Sequence, residues 1–169
     1  MIRRLLARAR VFLGFVFAAL VLWLATPTWT SLAYGAAIAL VGELIRLWAA
    51  GHLEKSREVT RSGPYRFTRH PLYLGSSLIG IGLAVAAHHA VAAIVIVAYL
   101  ISTLSAAMLS EEAHLREKFG DEYDAYAEKR AAPMDRAFSW ERALRNREHH
   151  TMAGLAAGFA ALAVKVLMF

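Results

Sequence analysis

Five apolar runs set what this chain can fold into: residues 11–25, 30–48, 71–87, 91–109 and 152–169, interrupted by only Glu43, Arg46 and Lys165. Runs of that length bury poorly in a soluble core and are close to what a bilayer needs from a helix. In lipid every backbone N–H and C=O has to be satisfied within the segment, so such runs become helices. The expected fold is therefore an all-α integral membrane protein of five transmembrane helices. Residues 1–169 form a single membrane domain, and polar loops at 49–70 and 110–150 lie on one side. The high apolar share, 58% of the residues, agrees with this class.

Charge then orients the bundle. Arg3, Arg4, Arg8 and Arg10 precede the first run, and both long loops are rich in arginine and lysine, whereas the other side carries almost none. By the positive-inside rule the N-terminus is cytoplasmic and the C-terminus lies opposite. A basic start before an apolar run also describes a secretory signal, but Thr26-Pro27-Thr28-Trp29 follows instead of a small-residue cleavage site. An uncleaved first span is expected. The net charge of +6 is thus a topology signal, and with no nucleic-acid-binding motif present it does not point to DNA or RNA. The absence of cysteine removes disulfides, thiolate nucleophiles and cysteine-based metal sites.

Glu43 and Arg46 share one face of the second run, as an internal ion pair or as polar groups reaching a substrate cavity. His88-His89 makes a tight return between the third and fourth runs and reads as interfacial polarity rather than metal ligation. Gly154 and Gly158 stand in a GxxxG relation, which serves either packing within the bundle or a homodimer seam. Lys165 is expected to snorkel. In the second loop Leu115, Phe119, Tyr123 and Tyr126 recur at helical spacing, and Gly120-Asp121 reads as a stop followed by a new N-cap. Two short amphipathic helices are expected there, lying on the headgroups or folded over the first loop.

The chemistry concentrates in residues 63–75, GPYRFTRHPLYLG. Gly63-Pro64 marks a turn, and Pro71 suits the first position of a helix. His70 then stands at a helix mouth, where free N–H groups and the positive dipole end favour a carboxylate or phosphate. Topology brings Glu111-Glu112 to the same level. An acid pair suits an amine or a ribose diol, and Tyr65 and Tyr73 can stack on a flat base or face a cation. Those requirements describe a nucleoside bearing amino-acid groups, or a dinucleotide. A polar cap that merely satisfies helix ends fits the same residues.

Residues 63–75, then Glu111-Glu112, then FGDEYDAY at 119–126 resemble the isoprenylcysteine carboxyl methyltransferase family, within a broader phospholipid methyltransferase-like group. The resemblance runs from about residue 43 to residue 133. It implies a membrane-embedded methyltransferase that uses S-adenosyl-L-methionine, without a soluble Rossmann-type domain, acting on a small lipophilic or lipid-like acceptor at the cytoplasmic face. It places Tyr65, His70, Pro71, Leu72 and Tyr73 around the cofactor, with Glu111 and Glu112 opposite and the backbone of Val59 and Thr60 contributing. Prenylcysteine methylators carry an arginine four residues before the first acid; here that residue is Ala107. Arg46 is the candidate replacement anchor for the substrate. A carboxylate acceptor needs no general base, whereas an amine does, and His70 and Glu112 are the candidates. The competing readings are an NADPH-dependent membrane reductase of sterol-reductase-like fold, a haem protein ligated by histidines among His52, His70, His88, His89 and His114, and a non-catalytic scaffold.

Overall fold

The computed structural model describes residues 14–168. Helix α1 covers Gly14–Leu24, α2 Trp29–Ala50, α3 Pro71–Ala87, α4 Ala90–Phe119, α5 Asp121–Ala127, α6 Trp140–Arg145 and α7 Glu148–Met168, with a 3-10 turn at Gly63–Arg66. The chain is all-α as expected, but the expected five spans reduce to three. Among the described residues, α2, α4 and α7 are the helices long and apolar enough to cross a membrane. Helix α3 has 17 residues, about 26 Å at 1.5 Å per residue, short of a hydrocarbon core of roughly 30 Å. Its length is fixed at both ends: Pro71 cannot extend it backwards, and His88 ends it in the left-handed region at φ +48°. Helix α1 is shorter still. The start of the first apolar run and the N-terminal arginines lie outside the described residues.

Two further boundaries differ from expectation. Helix α4 does not stop at residue 109 but continues for 30 residues to Phe119, so Glu111 and Glu112 sit on a rigid helical extension. The first of the two expected amphipathic helices is this extension, and the chain breaks at Gly120, whose φ of +47° suits glycine. Gly120 itself is the N-cap of α5, and Asp121 is its first residue.

Helices α2 and α3 pack most closely. Gly42 and Gly75 face each other so tightly that a Cβ on either would sit 2.5–2.6 Å from the other's carbonyl oxygen. In lipid, where apolar side chains gain little by leaving their solvent, such backbone contact drives association. At the end of the bundle away from the loops, Ala25, Leu32, Ala86, Ala87, Ala92 and Leu162 form a buried cluster. Lys165 does not snorkel freely there; its Nζ donates to the carbonyls of Leu22 and Trp23 at 2.7 and 2.8 Å, capping α1. His88 and His89 are helix-end residues, with the His89 ring accepting from the Ala92 N–H.

The polar pair in α2 forms neither a Glu43–Arg46 hydrogen bond nor, for Arg46, a wall of the cavity described below. Arg46 reaches α7, where its Nε lies 2.7 Å from Glu148 Oε1 and its Nη2 3.1 Å from Glu148 Oε2. Its other donors go to Ser76 Oγ, the Leu72 carbonyl and Thr151 Oγ1. Glu43 is buried and has no hydrogen-bond partner among the described residues. Arg46 therefore ties α2, α3 and α7 together.

The chain after α5 closes the loop end. Asn146 Nδ2 donates to the Ala50 and Leu53 carbonyls, each at 2.9 Å, and Arg142 Nε to the Gly51 carbonyl at 2.8 Å. The Ala50 carbonyl is one that the end of α2 leaves unpaired, and Gly51 is its C-cap. A second strap joins Arg136 to Glu58.

Candidate functional site

The first loop is folded around His52. This buried ring sits beside Ser62 Oγ, with 3.2 Å between the oxygen and Nδ1. Burial and the nearby arginines Arg142, Arg136 and Arg66 hold its pKa below the usual histidine value. Gly63 crosses directly over it at φ +54°, where a Cβ would stand 2.5 Å from the ring. Glycine is thus required both for the backbone angle and for space. The 3-10 turn that follows directs Tyr65 inward, leaving it buried.

Helix α5 folds back over this turn because Gly120 redirects the chain. Tyr126 Oη donates to the Tyr65 carbonyl at 2.8 Å and lies 3.4 Å from the Thr68 carbonyl. Lys118 Nζ donates to the Ser56 carbonyl at 2.7 Å, and Arg61 pairs with Glu122 at 3.4 Å. Burial pushes the Tyr126 phenol up to about 12. Burial, then the charge of Glu111, pushes Tyr65 up as well. Both phenols stay protonated and remain donors.

Loop, α4 extension and α5 enclose a cavity of about 800 Å³. Of the residues expected around a cofactor, Val59, Thr60, Tyr65, Tyr73 and Glu111 line it. The other four lie elsewhere. Pro71 is buried at the first position of α3 and does not line the cavity. The Leu72 carbonyl is occupied by Ser76 Oγ at 2.9 Å and by Arg46. His70 and Glu112 form their own pair, with His70 Nε2 2.8 Å from Glu112 Oε1. Arg46 does not line the cavity, and its guanidinium is engaged as described above.

The cavity also uses residues that the sequence reading did not single out. Lys55, Glu58 and Arg69 come from the loop, and Tyr99, Thr103, Ser110 and His114 from α4. Tyr99, Thr103 and His114 share a helical face with Glu111, so counting in steps of three and four from Glu111 would have found them; Ser110, its neighbour, would not have been found that way. Ala107 is on that same face. Tyr123 and Tyr126, which the sequence marks by amphipathic spacing and as part of FGDEYDAY, supply the roof. The Tyr123 hydroxyl, on the cavity wall, is buried without a partner among the described residues, so it has unused hydrogen-bonding capacity.

The donor set is mixed. Glu58 and Glu111 can accept from ammonium or ribose hydroxyls, Lys55 and Arg69 can meet a carboxylate, and the tyrosines offer aromatic faces and hydroxyls. A cavity of this size falls in the range that holds a cofactor-sized ligand. The residues present therefore fit an adenosyl amino acid.

A family model described as phospholipid methyltransferase matches residues 9–122. The match includes the whole first loop and the acid pair and ends just before Tyr123. The nickel-cobalt-cadmium resistance protein NccN of Alcaligenes xylosoxydans xylosoxydans is 32% identical over 114 residues, which cover 65% of this chain and 51% of that protein. The chain thus spans about half the length of the curated relative it matches. No solved structure gives a significant match.

Proposed function

The chain belongs to the phospholipid methyltransferase family, and from that premise we propose that it transfers a methyl group from S-adenosyl-L-methionine to a lipophilic or lipid-like acceptor at the cytoplasmic membrane face. The observation that carries this reading is the single cavity into which a loop, a helix extension and a short folded-back helix bring Val59, Thr60, Tyr65, Tyr73 and Glu111 together. Within it Glu111 and Glu58 would hold the cofactor's amino group or ribose, and Arg69 or Lys55 its carboxylate. The aromatic roof of Tyr123 and Tyr126 would cover the base.

The bound cofactor supplies an activated methyl on a sulfonium. The work left to the protein is alignment and the exclusion of water. Tyr126 contributes by pinning α5 onto the loop backbone, which keeps the roof in place. The acceptor enters from the bilayer side, with the loops in the cytoplasm and the C-terminus opposite. Arg46, bound to Glu148, Ser76 and Leu72, acts by holding the first turn of α3, which carries Tyr73.

Isothermal titration of the protein in nanodiscs with S-adenosylhomocysteine tests the reading, with NADPH run alongside. Micromolar binding that is lost in Glu111→Ala supports it. No adenosyl binding together with NADPH binding would transfer the chain to a reductase reading.

A further inference from the structure

A chain of rings crosses the loop end of the bundle without lining the cavity. Phe67, Trp48, His52, Phe138 and Trp140 follow one another at centroid distances of 6.4, 6.5, 6.4 and 5.0 Å. The middle of the chain is covered: His52 is buried, and Phe138 lies so close on Gly51 that a Cβ there would clash with its ring. Its ends are open. Phe67 is 77% exposed, Trp140 64% and Trp48 42%. Leu144, one turn beyond Trp140 on α6, is also exposed, while Ala143 is buried. Arg142 and Asn146 tie α6 to carbonyls at the end of α2, so the helix sits on that end with an apolar edge outward.

The exposed face of α2 leads directly to this edge. Val41, Leu44 and Trp48 form an exposed row at steps of three and four on a helix long and apolar enough to cross a membrane. Trp48 ends the row and meets Phe67. Tryptophan at the end of a span marks the headgroup layer, and a helix with an apolar edge and arginines beside it lies in that plane. The charges fit the same place. Glu54 and Glu141 are matched by Arg57 and Arg145, with contacts of 3.0 to 3.9 Å, and Asp135 by Arg66 at 3.6 Å. Arg142 and Arg147 are left over. The Arg142 guanidinium is bonded to the Gly51 and Ala137 carbonyls, and the exposed Arg147 guanidinium has no hydrogen-bond or ion-pair partner among the described residues. An apolar edge with uncompensated arginine beside it fits a lipid with a negatively charged headgroup.

We propose that this face seats anionic phospholipid, with Phe67, Trp140 and Leu144 entering the headgroup layer beside Trp48 and with Arg142 and Arg147 meeting the phosphate. The lipid here is a bound partner and not a methyl acceptor, since none of these side chains lines the cavity. Its effect falls on the first loop. The ring chain passes through His52, around which that loop folds, and Arg66, next to Phe67, donates to the Met134 carbonyl at 2.8 Å. A lipid held there braces the first loop and the stretch leading to α6 as one unit. The seat stands on apolar exposure and charge and does not depend on the methyltransferase reading.

Because the chain contains no cysteine, a single nitroxide can be placed on the edge through Leu144→Cys in the full protein in nanodiscs, with Phe67→Cys as a second position. Relaxation by oxygen, which concentrates in lipid, is expected to exceed relaxation by a water-soluble nickel chelate. The reverse at both positions means a water-facing edge, suited to a protein partner, and overturns the proposal. Lipid class is read by tryptophan fluorescence, with the Trp140 share isolated as the difference between the parent and Trp140→Phe. At equal mole fraction, phosphatidylglycerol brominated high on its acyl chains should quench that share more than equally brominated phosphatidylcholine. Equal quenching overturns the headgroup assignment. In Arg147→Gln the preference for phosphatidylglycerol should fall about fivefold, the worth of one arginine near an anionic surface, while oxygen contact at residue 144 is retained. A preference that this variant leaves unchanged overturns the part given to the arginine.

Discussion

Removing the carboxylate of Glu148 tests the junction on which the loop end of the bundle rests. Glu148 is 3% exposed in its side chain and Arg46 17%. The two are joined by two charge-assisted bonds, of 2.7 and 3.1 Å. Breaking a buried pair from one side costs about 3–5 kcal/mol, mostly because a charge is left without its partner. One feature argues for the lower end: Arg46 keeps its bonds to Ser76, Leu72 and Thr151. Glu148→Ala is therefore expected to lose about 3 kcal/mol, a shift of roughly a hundredfold in the unfolding equilibrium. Reversible unfolding in mixed micelles with increasing SDS, followed by tryptophan fluorescence, measures it. Glu148→Gln should fall between parent and alanine variant, because it retains an acceptor without the charge. If Glu43 takes over as partner, adding Glu43→Gln to Glu148→Ala removes the residual support and lowers stability further. A Glu148→Ala protein within about 0.5 kcal/mol of the parent, the range of inconsequential surface changes, would refute the reasoning: the guanidinium would then be satisfied without Glu148.

Three other outcomes follow from the geometry. Tyr126→Phe deletes the hydroxyl that pins α5 to the Tyr65 carbonyl; at about 1 kcal/mol for one such bond, S-adenosylhomocysteine should bind roughly fivefold more weakly by calorimetry, and unchanged affinity would show that α5 does not close the cavity. Gly75→Ala drives a Cβ to 2.5 Å from the Gly42 carbonyl, so α2 and α3 must separate, and thermal unfolding should show a loss of about 1–3 kcal/mol. His52 has a folded-state pKa below its ordinary 6.5, so the unfolded chain takes up a proton first as pH falls. Stability should therefore decline below pH ~6.5, by at most about 1.4 kcal/mol per pH unit until the folded ring also protonates. His52→Gln should flatten that slope in the same micelle assay.

Much of the site could be read from residue order because its determinants are local. Gly63 at positive φ, Pro71 opening α3 and the break at Gly120 each reflect what one residue's backbone permits, and each stands where the sequence placed it. Val59, Thr60, Tyr65, Tyr73 and Glu111 meet around one cavity for a related reason: they sit in a loop and on the helix that leaves the same side of the bundle. The direction in which Arg46 points was not legible. Glu43 is its neighbour by helical spacing, but its true partner, Glu148, is 102 residues away. Likewise nothing in the spacing of Glu111 and Glu112 separates their roles. Consecutive helical positions point about 100° apart, so Glu111 faces the cavity while Glu112 turns to His70 and two arginines.

The number of spans divides along the same line. Apolar length alone determined that this chain forms helices of membrane character, since continuous apolar runs, unlike the alternating strands of a closed barrel, pair their backbone polar groups within themselves. Where each helix begins and ends is decided by caps, by Pro71 and by the left-handed His88, and these leave α3 too short to stand with α2, α4 and α7. Which charges meet, and which nitrogen of His70 faces Glu112, the tertiary structure alone decided, because hydrogen bonds and ion pairs act over a few ångströms and only packing brings distant residues within that reach.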